Sequence, residues 1–394
     1  MDNFKPCYAL KKLAFLCNNM KSTNGVERVL SRRLSLLAGS GMYEVYLITY
    51  NQYGAPFSFP ISDKVHYIDL ATRYIERCSY HGLFQYLDRL ISKITYKKAL
   101  CRCLSIINPD VISCVDIHLA DLTTVLDYPT NATKVVECHC GLSAYYADLE
   151  TIRNPYKKNK ERKIKEMIIH TISRFDRIVV LTEDEKSEWD LGDKVVSIPN
   201  MLISYPENLP DRTTLHHRVI SVGRYAYQKG YDLLIDVWKL INKRHPDWSL
   251  HIYGSHDGDM GDCNQLKRMI VDSQMQNVFL HEATNEVYAK YDESDFYVMS
   301  SRYESFGLVL IEAMSCGLPI VSFDCKYGPR SIIVDGETGI LAPPSDVKKL
   351  AESISYMIEH TDERMSMGRN AYTSVAKYKP ERIMSIWQQF YQSL

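Results

Sequence analysis

The chain has 394 residues and a mass of 45.5 kDa, enough for two or three domains at about 150 residues each. Hydrophobic residues make up 45% and charged residues 24%, which excludes a chain disordered throughout. A net charge of −1, from 47 basic and 48 acidic residues, provides no overall field for nucleic acid.

Short apolar runs alternate with helical periodicity along the whole chain. The first half predicts strands over 13–17, 45–49, 65–68, 111–114, 134–138 and 177–181, with helices over 26–37, 84–106 and 161–172. Strands that are apolar at nearly every position are covered on both faces, as in a parallel sheet sandwiched by helices. Residues 197–212 break the rhythm with Pro199, Pro206 and Pro210 and read as a linker. The alternation then resumes, with strands over 219–223, 249–253, 278–280, 296–299 and 319–323 and helices over 231–242, 265–272, 308–314 and 347–358. The expected architecture is α/β: two doubly wound, Rossmann-like domains facing each other across a cleft, one over 1–205 and the other over 206–378. Residues 379–394 carry Ile383, Ile386, Trp387 and Phe390 at helical spacing. No run of about 18 apolar residues could span a membrane. Lys11 and Lys12 interrupt the N-terminal apolar stretch, so no secretory signal is expected. Eleven scattered cysteines suit the reduced thiols of a cytosolic protein.

Ligands of such folds sit outside the carboxyl ends of the strands, so the strand-to-helix loops are where chemistry is sought. After the strand at 296–299, the stretch Tyr303-Glu304-Ser305-Phe306-Gly307-Leu308 opens a helix. The backbone N–H groups of Phe306, Gly307 and Leu308 stand at its positive end, suited to a phosphate. Glu304 precedes the turn, and Glu312 sits among apolar neighbours, where a carboxylate needs a partner. Arg224 and Lys229 project from the loop after the strand at 219–223, a fork and a point charge suited to a diphosphate. In the first half, Asn24-Gly25-Val26-Glu27-Arg28 fills the first such loop, and His139 follows the strand at 134–138.

These motifs together resemble the retaining glycosyltransferases of family 4, which have the GT-B fold. The stretch from Ser301 to Met314 is similar to the family's E-x7-E signature, continued by Cys316-Gly317-Leu318-Pro319. Ser221-Val222-Gly223-Arg224 with Lys229-Gly230 resembles its diphosphate-binding pair, and Ile198-Pro199-Asn200 the approach to its hinge. The resemblance implies a nucleotide-sugar donor on the second domain, with Arg224, Lys229 and the Phe306–Leu308 backbone on the diphosphate. It puts Glu304 on the donor sugar, Glu312 on the ribose hydroxyls, and His139 and Gly25 at the sugar and phosphate from the first, acceptor-binding domain. Glu304 and His139 are the implied catalytic residues. The last helix is expected to cross back to the first domain. The family commonly has two adjacent glycines where this chain has Asn24-Gly25, and Asn tolerates a left-handed backbone.

The resemblance further implies transfer with retention through an oxocarbenium-like transition state, without cofactor or metal ion. UDP is the commoner donor nucleotide among the polysaccharide- and lipopolysaccharide-assembly enzymes that the stretch from Phe323 to Arg330 resembles. A glycan or lipid-linked saccharide is the expected acceptor. Basic segments at 84–102 and 157–165 could rest on an anionic membrane, at the inner face of the cell membrane, or be solvated helix faces. Cys138-His139-Cys140, Cys101-x-Cys103 and Asp257-Gly258-Asp259 look like metal ligands, but C-x-C spacing fits zinc poorly and turn chemistry explains the last. The rival readings are a sugar-nucleotide epimerase of the same fold and a non-catalytic nucleotide-sugar-binding protein.

Overall fold

The structure is a computed structural model that describes residues 10–72, 83–115, 119–142, 149, 152, 154–255 and 261–394. It holds two wholly parallel sheets, one ordered β3-β2-β1-β4-β5-β6-β7 and the other β10-β9-β8-β11-β12-β13. The strands of the first are β1 (Lys11–Cys17), β2 (Tyr43–Thr49), β3 (His66–Asp69), β4 (Val111–Cys114), β5 (Thr133–Glu137), β6 (Arg177–Val180) and β7 (Val195–Ser197). Those of the second are β8 (Arg218–Val222), β9 (Ser249–Gly254), β10 (Val278–Glu282), β11 (Phe296–Met299), β12 (Ile320–Phe323) and β13 (Gly339–Ala342). The order reverses beside β1 in the first sheet and beside β8 in the second. These are the switch points where loops part and leave a crevice.

The all-apolar strands are explained by burial on both faces. In β1, Leu13, Phe15 and Cys17 enter one core while Ala14 and Leu16 enter another, the period-2 alternation of a strand. Three cores result. Two cover the outer faces of the sheets, and the third runs continuously between the domains, joining Phe15 and Leu34 of the first to Phe306, Leu310 and Tyr297 of the second.

Residues 198–217, between β7 and β8, form no helix or strand. The final helix (Pro380–Ser393) returns to the first domain. Tyr391 meets Phe15 edge to face at 6.1 Å, Lys11 Nζ donates to the Tyr391 carbonyl at 2.7 Å, and Trp387 stacks on the Arg33 guanidinium at 4.0 Å. Several elements exceed the periodicity reading. The helix predicted over 161–172 begins six residues earlier, at Pro155, whose fixed φ suits a first turn capped by Asn154. The helix Glu183–Trp189 escaped because its residues are mostly charged, and β13 because it opens on Gly339 beside a turn.

Trp387 is 4% exposed and fills the junction of the last helix with the first sheet. Replacing it with alanine is expected to lower stability by about 3–5 kcal/mol, measured by urea denaturation.

Candidate functional site

The cleft between the carboxyl edges has a volume of about 490 Å³, within the range of small-molecule sites. Gly25, His139, Arg224, Lys229, Glu304, Phe306, Gly307, Leu308 and Glu312 all line it. The sequence named them from loops far apart in the chain, and the two switch points bring them together.

On the second domain, the loops after β8 and β11 are stitched to each other. Ser300 Oγ donates to the Lys229 carbonyl at 2.9 Å, the Arg302 N–H to the Gln228 carbonyl at 2.8 Å, and Gln228 Nε2 to the Tyr303 carbonyl at 3.1 Å. Arg302 also forks onto Asp232 at 2.9 and 2.6 Å. This lattice fixes the base of Lys229, whose Nζ meets Glu304 Oε2 at 2.6 Å with both side chains largely buried. The sequence reading gave these two residues separate ligand partners; here they hold each other. Arg224 Nη2 lies 3.4 Å from Gln228 Oε1. Gly307 adopts φ +86° just before the helix Leu308–Ser315, a conformation glycine takes without strain, and so turns the first N–H groups of that helix toward the cleft.

On the first domain, the helix Gly25–Gly39 opens at the cleft. Asn24 is extended, with φ −77°, so the left-handed tolerance of asparagine plays no part in that loop. A Cβ on Gly25 would lie 2.8 Å from Leu308 Cδ1, so the absence of a side chain lets the two helix starts approach across the cleft. His139 Nε2 lies 3.3 Å from Glu137 Oε2. Glu137 is sealed from water, bridged by Arg33 Nη2 at 2.8 and 2.7 Å and accepting from Ser113 Oγ at 2.6 Å. Burial alone would raise its pKa, but Arg33, then His139 and Ser113, outweigh burial and lower it to about 2. An ionised Glu137 therefore anchors the His139 ring from below and leaves its other nitrogen for the cleft.

Several residues that build or support the site had been given no role in the sequence. Arg33 occupies an otherwise apolar helix face with Val29, Leu30, Leu34 and Leu37, and Glu137 ends an apolar strand. Each alone breaks the pattern, and the paired breaks were the available signal. Arg28 reaches across the cleft to Glu312 Oε1 at 2.7 Å. A second group of contacts closes the same gap. The Gly141 N–H donates to Ser305 Oγ at 2.7 Å, Lys326 Nζ meets Glu188 Oε1 at 2.6 Å, and the Tyr327 hydroxyl donates to the other oxygen of Glu188. The Tyr327 ring lies where a Cβ on Gly141 would be, and Tyr327 itself holds φ +74°, rare for a side-chain-bearing residue. The domains are thus closed on each other. Among the metal-like motifs, Cys103 and Cys138 pack into the outer core of the first sheet. Asp257-Gly258-Asp259 lies outside the described residues.

Two outcomes follow from this geometry. Glu137→Gln strands a buried guanidinium and is expected to cost about 3–5 kcal/mol of stability. Because Glu137 has its pKa lowered by folding, its contribution is complete above pH 4.5 and fades as pH falls toward 2; the variant's urea stability should therefore vary less with pH over that window. Glu188→Gln removes the charge that Lys326 meets, and its radius of gyration in X-ray scattering should rise relative to the wild type as the domains part.

Comparison with known proteins agrees with this architecture. Residues 214–374 match the family described as "Glycosyl transferases group 1". An uncharacterised glycosyltransferase of Haemophilus influenzae is 26% identical over 96% of this chain and 99% of its own. The amylovoran biosynthesis glycosyltransferase AmsD of Erwinia amylovora is 26% identical over 95% of this chain and 98% of its own. The crystal structure of TarM from S. aureus, in complex with fondaparinux, α-GlcNAc-glycerol and UDP, superposes with a TM-score of 0.73 at 15% identity, covering 96% of this chain and 99% of that one. The second domain thus carries the match to the group 1 glycosyl transferases, and the two facing parallel sheets have the GT-B fold of the solved glycosyltransferases.

Proposed function

We propose that the protein transfers a sugar from a UDP-sugar to a glycan acceptor, a lipid-linked saccharide of surface polysaccharide or lipopolysaccharide synthesis. The observation that carries the donor reading is the meeting, in one cleft, of Arg224 and Lys229 with the opening of the helix Leu308–Ser315 and with the carboxylates Glu304 and Glu312. Cations and helix N–H groups suit the diphosphate, and hydrogen-bond acceptors suit sugar and ribose hydroxyls. Support for UDP comes from TarM, whose crystal structure contains it. Support for polysaccharide assembly comes from AmsD, described as an amylovoran biosynthesis enzyme.

In this reading, donor binding draws Lys229 partly from Glu304 to the diphosphate. Arg224 and Lys229 then stabilise the negative charge that grows on the leaving group, and Glu304 faces the donor sugar. His139, held by Glu137, approaches the same sugar from the first domain. Closure excludes water and fixes the acceptor hydroxyl on the face from which UDP departs, which gives retention without a covalent enzyme intermediate. No metal ion or cofactor is invoked.

Residues 1–205 form the acceptor side and 206–378 the donor side of this proposal, and residues 379–394 return to the first. The first domain also carries the surface for a membrane-borne acceptor at the inner face of the cell membrane. Leu90, Ile91 and Ile94 are exposed beside Lys93, Lys97 and Lys98 on the helix Leu83–Ile107, and Lys157, Lys160, Arg162 and Lys163 are exposed on the helix Pro155–Ile172. No helix among the described residues is long and apolar enough to cross a membrane.

A thermal-shift screen with UDP, GDP and ADP should raise the melting midpoint with UDP, and EDTA should leave that rise intact. Glu304→Ala should abolish transfer while preserving the fold; near-normal turnover would remove Glu304 from the site. Arg224→Ala should weaken UDP binding by roughly 1.5–3 kcal/mol in calorimetry, the worth of a charge-assisted hydrogen bond. Consumption of UDP-sugar at full rate without acceptor would favour an epimerase instead.

A further inference from the structure

Among the described residues of the first domain, Arg28 is the one whose side chain is tied directly to the Glu312 carboxylate. It belongs to the first turn of the helix Gly25–Gly39, lines the cleft, and places Nη1 2.7 Å from Glu312 Oε1 across the domain boundary. The two ends of this pair differ in setting. The Glu312 side chain is 3% exposed, whereas that of Arg28 is 27% exposed. The carboxylate is therefore fixed in the second domain, and the guanidinium arrives with the first. Only Oε1 is taken by Arg28, and an ionised carboxylate has further capacity to accept hydrogen bonds through Oε2.

We propose that Arg28 is a positioning residue for donor capture: on closure it orients the Glu312 carboxylate, one oxygen held by the guanidinium and the other left to accept from the donor's ribose hydroxyls. This rests on the reading of Glu312 as a ribose-binding residue. It adds a linkage which that reading lacks, because ribose engagement and domain closure then share one ion pair, and each favours the other.

The surroundings of Glu312 leave Arg28 a distinct electrostatic task. The titratable groups that face Glu312 are Arg28 from the first domain, Tyr288 and Tyr291 from the helix Val287–Asp292, Tyr297 from β11, and Cys316 at the end of its own helix. Burial raises the pKa of all three tyrosines and of the cysteine, which keeps them neutral at ordinary pH. Burial likewise raises Glu312, and Arg28 opposes that rise through its charge and its hydrogen bond. A neutral carboxyl has one oxygen protonated and is the poorer acceptor for a hydroxyl. Loss of Arg28 moves the Glu312 titration upward, so nucleotide binding should suffer most at low pH and recover as pH rises.

The test is calorimetric titration of UDP into the wild type, Arg28→Met, Arg28→Lys and Glu312→Gln at pH 6.0 and pH 8.5. Arg28→Met keeps the length and packing of the side chain without its charge. Its dissociation constant should rise roughly tenfold or more at pH 6.0 and clearly less at pH 8.5, and Arg28→Lys should recover part of the loss. Loss of affinity in Glu312→Gln with wild-type affinity in Arg28→Met would overturn the positioning role and leave the ribose reading standing. Wild-type affinity in Glu312→Gln would overturn the ribose reading and this inference with it. Equal weakening of Arg28→Met at both pH values would also overturn it, in favour of direct contact between Arg28 and the phosphates.

Discussion

An ion pair sealed from water, Arg33 with Glu137, organises the first domain and with it the cleft. Neither charge survives burial alone, so the helix Gly25–Gly39 and β5 are bound to one relative placement. The pair then reaches outward in two directions. Glu137 meets His139 at the cleft, and the Arg33 guanidinium lies under Trp387 of the returning helix. A substitution in the last helix can therefore be felt at the ligand edge through a chain of direct contacts. The same helix that carries Arg33 inward carries Arg28 to the cleft at its other end, so its position sets both.

The second domain solves a related problem with backbone rather than buried charge. Loops that must present cations and carboxylates cannot be held by an apolar core, and the strand-to-helix turns after β8 and β11 instead bond to each other through Ser300, Gln228 and Arg302. Lys229 and Glu304 emerge from that lattice already paired. The pair keeps both largely buried charges compensated, where either alone would be costly.

Much of this was legible in the sequence because each signal was local. Strands buried on both faces are apolar throughout, so β1, β4, β5, β8 and β11 stood out, and the Glu304-to-Glu312 stretch carries its own glycine turn and helix start. What escaped was relational. Arg28 and Glu312 are 284 positions apart, and nothing near either residue names the other. Glu188 lies in a charged helix that reads as solvated surface, yet it meets Lys326 and Tyr327 of the opposite domain. Asn24 was expected only to tolerate a left-handed backbone, and at the helix start it is extended instead.

Tyr327 joins strain to closure. Its backbone sits at φ +74° while its ring fills the space beside Gly141 and its hydroxyl bonds Glu188, both on the other domain. A residue with a side chain in such a conformation stores on the order of 1–3 kcal/mol. The strained backbone and two of the contacts that join the domains thus fall on a single residue, so a change at Tyr327 alters the local turn and the domain seam together.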